Sequence, residues 1–466
     1  MLATLGHFLG WPVGEKIASG VTVLVFFWGA FALITALARR QPWNLLPCLA
    51  IFAYGWIFES GLMNCYLSFG IAFIALVILV RGRGWQLCVA APLIPLIWLA
   101  HPLGLVLLFA LGSYALLVDG PWRRHRLILF IMSACALAAI HLFVIVRYKS
   151  GVGWPPRYLH DGFDQLLLFG PRYLLPARML RVFICICLLV DIILRRQSSR
   201  RLAPFRLSAE LYVLVLFAAL LLPEAVDTRM MRRFGFISIG LLNERITSVA
   251  AILVCCLAGA VKPRKWHFAG FSLVAIIFFA LLYRDTAIIN QTEQSLAGIV
   301  RTLPAGQRVI ATIETFPESR VATGQVIDRA CIGRCFDYLD YEPRVGQFRV
   351  RANAGNPFVL PDMPAPLKEV DRFQNFEVQP RNLPLDEISR CDVSGDSFCV
   401  RSLAAGDTAH AGYRLDYAWT LRDNPISLVL DLLLACAIVA CSIATSRMIA
   451  VRRPQARLIA GQGDLR

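Results

Sequence analysis

QLCVAAPLIPLIWLAHPLGLVLLFALGSYALLV, residues 86–118, is the stretch on which the fold turns. Its 33 apolar-rich residues would run about 50 Å as one helix, against roughly 30 Å of bilayer hydrocarbon. His101-Pro102 stands in the middle, and proline disfavours helix at the residue before it. Residues 45–80 repeat the pattern, with Glu59-Ser60-Gly61 at their centre. Arg39 and Arg40 precede the first stretch, Arg81 and Arg83 separate the two, and Arg123, Arg124 and Arg126 follow the second. Two hairpins of short spans put all three basic clusters on one side, as the positive-inside rule asks.

Working outward, the composition agrees. Of 466 residues, 57% are hydrophobic and 17% charged, with a mean hydropathy of +0.60. Soluble domains hold about 25% charged residues, so neither a soluble globular chain nor a disordered one fits. Spans are expected at 19–38, 45–58, 63–80, 86–100, 103–118, 127–146, 179–194, 208–222, 246–261, 267–283 and 426–446. The fold class is thus an all-α polytopic membrane protein with about 11 transmembrane helices, several short or broken. A small α/β extracytoplasmic domain follows at 284–425, then the final helix 426–446 and a basic cytoplasmic tail 447–466.

The net charge of +16 is a topology signal. Loops 39–44, 81–85, 119–126, 195–207, 262–266 and the tail hold 20 Lys/Arg against 2 Asp/Glu. Residues 284–425 hold 16 basic and 19 acidic residues. The C-terminus is therefore expected on the cytoplasmic side, with no nucleic-acid partner. Arginine-rich usage suggests a GC-rich genome and points to a diderm bacterium, so the expected location is the bacterial inner membrane. With eleven spans the N-terminus falls outside, and residues 1–18 have neither a basic n-region nor a cleavage site. A first span and first outer loop upstream of Met1 are expected; the alternative is a short tail that translocates with the first span.

In the outer domain, Arg308–Ile313 and Phe348–Val350 read as strands. Cys331, Cys335, Cys391 and Cys399 are an even set in an oxidising compartment, so disulfides 331–335 and 391–399 are favoured by proximity, with a four-cysteine zinc site as the rival. Asp328, Arg329, Asp337, Asp340 and Glu342 read as solvated surface.

Candidate chemistry sits at the hairpin tips and in two outer loops. Glu59 and His101 are the acid/base candidates, because polar groups at membrane depth face a cavity or a partner. The plainer alternative makes Glu59 a helix cap and gives His101 one structural hydrogen bond. The loop RYKSGVGWPPRYLHDGFDQLLLFGPRYLLPAR, 147–178, carries Arg147, Arg157, Arg172 and Arg178, and the loop 223–245 carries Arg229, Arg232, Arg233 and Arg245. Arginine on the side that should be poor in it points to an anionic ligand, since its planar fork binds two phosphate oxygens. Contact with anionic lipid heads is the alternative. Trp154, Tyr158, Phe163 and Tyr173 are candidate interface anchors. His160, Asp161 and Asp164 could hold a divalent cation, Mg or Mn, or be solvated loop residues. Arg181, Asp191, Glu210 and Asp431 sit at span ends and are expected to snorkel. There is no Walker loop, GxSxG or HExxH.

Short outer loops, broken spans and a C-terminal outer domain resemble the GT-C superfamily of polytopic glycosyltransferases. Tyr54–Gly70 (YGWIFESGLMNCYLSFG) followed by His101-Pro102 is similar to bacterial members of that superfamily, and the likeness covers roughly residues 10–290 without a strict motif. The resemblance implies a polyprenyl-phosphate-linked sugar donor, an envelope glycan or protein acceptor, and membrane lipids around the chain. It places the catalytic carboxylate in a first outer loop, upstream of Met1 here. The competing expectations are a transporter or flippase and a non-catalytic scaffold or lipid-phosphate-binding protein.

Overall fold

The structure is a computed structural model. It describes residues 2–82, 85–120, 122–147, 152–153, 161–194, 202–223, 225–226, 241–311, 313, 316, 319–321, 323, 326–338, 341–342, 347–348, 375–391 and 397–410. The expected last span and tail, 426–466, lie outside these. The described chain divides into two compact units, one formed by Met1–Leu167 with Leu174–Phe278, the other by Leu168–Tyr173 with the residues from Phe279 on.

Among the described residues, seven helices are long and apolar enough to cross a membrane: Val13–Ala38, Met63–Arg81, Pro102–Asp119, Arg126–Val146, Pro171–Asp191, Leu242–Ala260 and Lys265–Val300. Both hairpins form, but their first arms are short and broken. Residues 45–58 give α3 (Leu46–Ala53) and α4 (Trp56–Glu59), interrupted at Tyr54-Gly55, after α1 (Leu2–Leu9) and α2 (Trp11–Ala38). Then come α5 (Met63–Arg81), the pair α6 (Gln86–Ala90) and α7 (Leu93–Ala100), and α8 (Pro102–Asp119). The break before α8 is the expected one: His101 is extended (φ −167°, ψ 131°) and caps α8, its Nδ1 accepting from the Leu103 amide at 3.1 Å.

Small residues let these helices touch. A Cβ on Gly29 would lie 2.3 Å from the Gly70 carbonyl oxygen, and one on Gly70 2.7 Å from the Phe26 nitrogen, so α2 and α5 pack backbone to backbone. Phe26 and Tyr66 stack beside this crossing, ring centroids 3.7 Å apart. The chain continues through α9 (Arg126–Arg147), α10 (Leu174–Leu194) and α11 (Leu202–Leu221) to α12 (Leu242–Ala260). From Thr247 to Ala260, α12 is buried on every side, and the helix packs against α2, α3, α10 and α11, as expected of a stretch that is apolar nearly all round. α9 is the opposite case: nothing in 126–146 is buried, an apolar surface suited to lipid.

The loops read from the sequence as one-sided meet at one end of this unit. Arg81 donates to the Ala36 carbonyl, and Arg40 donates Nη2–H to the Gly259 carbonyl at 2.7 Å. The Lys262 amide donates to Asp191 Oδ1 at 3.2 Å. Glu210 takes Arg126 at 2.7 Å, Arg206 at 3.0 Å and the Tyr114 hydroxyl at 2.8 Å. Asp191 and Glu210 therefore hold neighbouring groups where snorkelling was expected. So does Arg181, paired with Asp161.

α13 (Lys265–Val300) is the last long helix described. The strands before and between are two or three residues long: β1 (Val152–Gly153), β2 (Ala225–Val226), β5 (Tyr341–Glu342), β6 (Gln347–Phe348) and β7 (Asn375–Glu377). The second unit holds a four-stranded sheet built from β3 (Gln307–Ala311), β4 (Cys335–Asp337), β8 (Leu385–Arg390) and β9 (Phe398–Leu403), in the order β4-β3-β8-β9. The β3–β4 and β3–β8 pairs are parallel and β8–β9 is antiparallel. α14 (Val326–Cys331) connects β3 to β4. Leu296, Val300, Val309, Ile327 and Ile388 form its core. Cys331 is bonded to Cys335 and Cys391 to Cys399, so the four sulfurs are used in disulfides and not on zinc. Asp337, read as solvated, is fully buried on β4. Arg308 is buried on β3, where the Arg381 and Leu383 carbonyls accept from its guanidinium.

Candidate functional site

The far end of the helical unit, opposite the basic loops, gathers several of the candidate residues. Its framework is the turn Phe163–Leu166, entered through Gly162 at φ +99°. A Cβ on Gly162 would fall 2.4 Å from the Ala251 nitrogen, so only glycine lets this turn lie on α12. Gln165, fully buried, then clamps two helices. Its Oε1 accepts from the Ile57 amide of α4 at 3.3 Å, and its Nε2 donates to the Glu244 carbonyl of α12 at 2.8 Å. Glu59 and Arg245, one at the end of α4 and one in the first turns of α12, are thereby tied to the same turn.

Arg245 Nη1 lies 2.9 Å from His101 Nε2. The His101 carbonyl accepts from Ser68 Oγ at 2.8 Å, which fixes the ring's backbone on α5. Burial, and then the charge of Arg245, push the His101 pKa down to about 4, so the ring is neutral near pH 7. A neutral imidazole has one acceptor nitrogen, yet two N–H donors, from Leu103 and Arg245, face its two nitrogens. Among the described residues Arg245 has no carboxylate partner. His101 thus makes the structural hydrogen bond of the plainer expectation and, in addition, meets a cation.

Glu59 ends α4, and neither cap of that helix uses its side chain. It has no ion-pair partner among the described residues, and burial pushes its carboxyl up to about 7.

Asp161 and Asp164 are engaged by the protein. Arg181 Nη2 lies 2.6 Å from Asp161 Oδ2, with its guanidinium over the Phe163 ring. The Phe163 amide donates to Asp161 Oδ1 at 3.0 Å. Asp164 Oδ1 accepts from the Gly162 amide, and its Oδ2 accepts from Thr247 Oγ1 at 2.7 Å. Among the described residues no group of three His, Cys, Asp or Glu could hold a metal ion; His160 lies outside them.

The arginines divide. Arg178 has a buried Nε without a hydrogen-bond partner and no ion pair among the described residues. Arg147 ends α9, and its side chain is not described. Arg157, Arg229, Arg232 and Arg233 lie outside the described residues. In the other unit, Arg172 pairs with buried Asp285 at 2.8 Å, and Asp285 also accepts from the Tyr173 hydroxyl at 2.9 Å. Its charge is compensated, which argues against the phosphate role read from the sequence. Phe163 and Tyr173, read as interface anchors, are buried; Trp154 and Tyr158 lie outside the described residues. Gln165, Ser68 and Thr247 were missed in the sequence, where the one signal was a polar residue inside an apolar run.

Neither a family model, nor a characterised protein, nor a solved structure matches the chain.

Proposed function

We propose that the chain is an integral protein of the bacterial inner membrane that engages a polyprenyl-phosphate-linked sugar at the outer face and acts as a glycosyltransferase. In this reading the chain crosses about eleven times, the far end of the helical unit faces outward, and the second unit is extracytoplasmic. The observation that carries it is Arg245: a half-buried guanidinium with no carboxylate partner among the described residues, resting on a neutral histidine. An anionic phosphate oxygen is a better acceptor than imidazole and would draw Arg245 off the ring. His101 would then keep one donor, from Leu103, and one acceptor, and its two contacts would no longer compete.

In the transfer step an acceptor hydroxyl oxygen attacks the anomeric carbon, and the bond from that carbon to the phosphate oxygen breaks. The configuration inverts and the hydroxyl proton passes to a base. Arg245 and Arg178 stabilise the charge on the departing phosphate. Glu59, with its carboxyl pushed up to about 7, is matched to taking that proton near neutral pH. No step is assigned to a divalent cation, since Asp161 faces Arg181 and Asp164 accepts from Thr247.

The engagement of both His101 nitrogens favours a second reading, lipid-phosphate binding without transfer. Titrating the chain in lipid nanodiscs with a polyprenyl phosphate tests both. Arg245→Gln is expected to weaken binding by at least about tenfold, the order of one charge-assisted pair; unchanged affinity sinks both. Formation of a glycosylated product separates them.

A further inference from the structure

The first turn of α12 carries three consecutive residues whose buried polar atoms lack hydrogen-bond partners among the described residues. Asn243 is fully buried, and among those residues neither its Nδ2 nor its Oδ1 finds a partner. Glu244 is 5% exposed with an unbonded Oε2, and Arg245 has an unbonded Nε. The helix begins at Leu241 in the left-handed region (φ 55°) with no side-chain cap. The large majority of buried side-chain polar atoms in native proteins are paired. Three neighbours that break this rule in one turn mark a place completed by something else.

We infer that Asn243 and Glu244 form a subsite for the vicinal hydroxyls of the sugar carried on the lipid phosphate. The inference rests on the proposed function and deepens it. The unbonded set holds two acceptors, Asn243 Oδ1 and Glu244 Oε2, and two donors, Asn243 Nδ2 and Arg245 Nε. A phosphate would satisfy the donors but be repelled by the Glu244 carboxylate. A metal ion would satisfy the acceptors but face two N–H donors. Vicinal hydroxyls offer O–H donors and oxygen acceptors together, so they complement all four atoms. The neighbouring polar groups are already engaged: Thr247 donates to Asp164, and Gln165 donates to the Glu244 carbonyl. Arg245 then stands at the junction, its Nε toward the sugar and its Nη1, drawn off the His101 ring, toward the phosphate.

The test compares two ligands on the full chain in nanodiscs, a bare polyprenyl phosphate and the same lipid phosphate carrying a hexose. The native chain is expected to bind the glycosylated lipid about tenfold tighter, a modest gain for buried hydrogen bonds newly made. Asn243→Leu is expected to remove that gain and keep the affinity for the bare lipid phosphate. Without ligand it is also expected to unfold at a higher temperature than the native chain, because an unpaired buried amide is replaced by an apolar group of similar size. Glu244→Gln keeps the shape and supplies a second variant. It is expected to shrink the gain while binding the bare lipid phosphate at least as well. Equal affinity of the native chain for the two lipids overturns the subsite alone. So does an Asn243→Leu chain that keeps the gain or unfolds earlier, which would give the amide a structural or water partner. Failure of the native chain to bind either lipid overturns the lipid-phosphate reading and the subsite with it.

Discussion

Arg245 Nη1 lies 2.9 Å from His101 Nε2, while the other nitrogen of the same ring already accepts from the Leu103 amide at 3.1 Å. The cation and the cap compete for one neutral imidazole. A histidine in an unfolded chain titrates near 6.5; here burial and Arg245 push it down to about 4. Between those values the unfolded chain takes a proton that the folded chain refuses. The contribution to stability is therefore complete above pH 6.5 and is lost as the pH falls toward 4. Arg245→Gln removes the second cause and narrows that window. Midpoints of thermal unfolding across pH 4–6.5 are expected to fall less steeply in this variant; parallel curves would show that Arg245 does not act on the ring.

Glu59 has the opposite sign. Its carboxyl is raised from 4.5 to about 7 by burial, so the folded chain holds a proton that the unfolded one releases. The contribution is complete below pH 4.5 and is lost as the pH rises through about 7. Relative to Glu59→Gln, the native chain is expected to lose stability across that interval. If Glu59 is also the base, product formation rises with pH along a limb centred near 7, and Glu59→Gln lowers the rate by about 10²–10⁴-fold. A limb centred near 4.5 would deny the carboxyl its buried position.

The two hairpins were legible because helix length and proline are local. Residues 86–118 exceed a bilayer, and His101-Pro102 can break only one way. The disulfide pairs and the strand at Arg308 were legible for the same kind of reason. The chemistry of the far end was less so. Asp161 reads as a metal ligand beside His160, and nothing local announces that Arg181, 20 residues on, turns its fork to it. Gln165 and Glu244 meet across 79 residues. Nothing in the sequence marks Asn243 as an amide buried without a partner among the described residues.

Arg172 gives the sharpest contrast between sequence position and environment. It stood in the arginine-rich loop as a phosphate ligand, yet Asp285 holds it at 2.8 Å while Phe316 faces its guanidinium at 5.2 Å. Asp285 is fully buried, so removal of Arg172 leaves its carboxylate with the Tyr173 hydroxyl as its hydrogen-bond donor among the described residues. Arg172→Met is expected to destabilise this unit by about 3 kcal/mol, the cost of leaving the buried Asp285 carboxylate without its half-buried cation. Pairing it with Asp285→Asn is expected to recover most of that. Binding of a polyprenyl phosphate is expected to stay within about threefold of native, well under the tenfold per 1.4 kcal/mol that a lost ligand would show. A tenfold loss in the double variant would return Arg172 to the phosphate site.

The basic loops converge at one end through Arg81, Arg40, Lys262 and the Glu210 cluster. Three of these contacts close helix ends or join loops far apart in sequence, so the loops share a side whatever the absolute orientation. In the proposed topology that side is the cytoplasmic one, by the positive-inside rule. Single cysteines at Arg200→Cys and Pro155→Cys test the assignment, since one lies in a basic loop and the other in the loop between α9 and α10. With an impermeant maleimide applied to intact cells stripped of their outer membrane, the cysteine at 155 is expected to react. The one at 200 is expected to react only after the membrane is opened. The reverse pattern would invert the unit, and Arg245 and His101 would then face the cytoplasm. Labelling of both from outside would place the two loops on the same side and break the alternation itself. The native Cys88 and Cys135 lie within apolar helices, so a chain without added cysteines supplies the background for both readings.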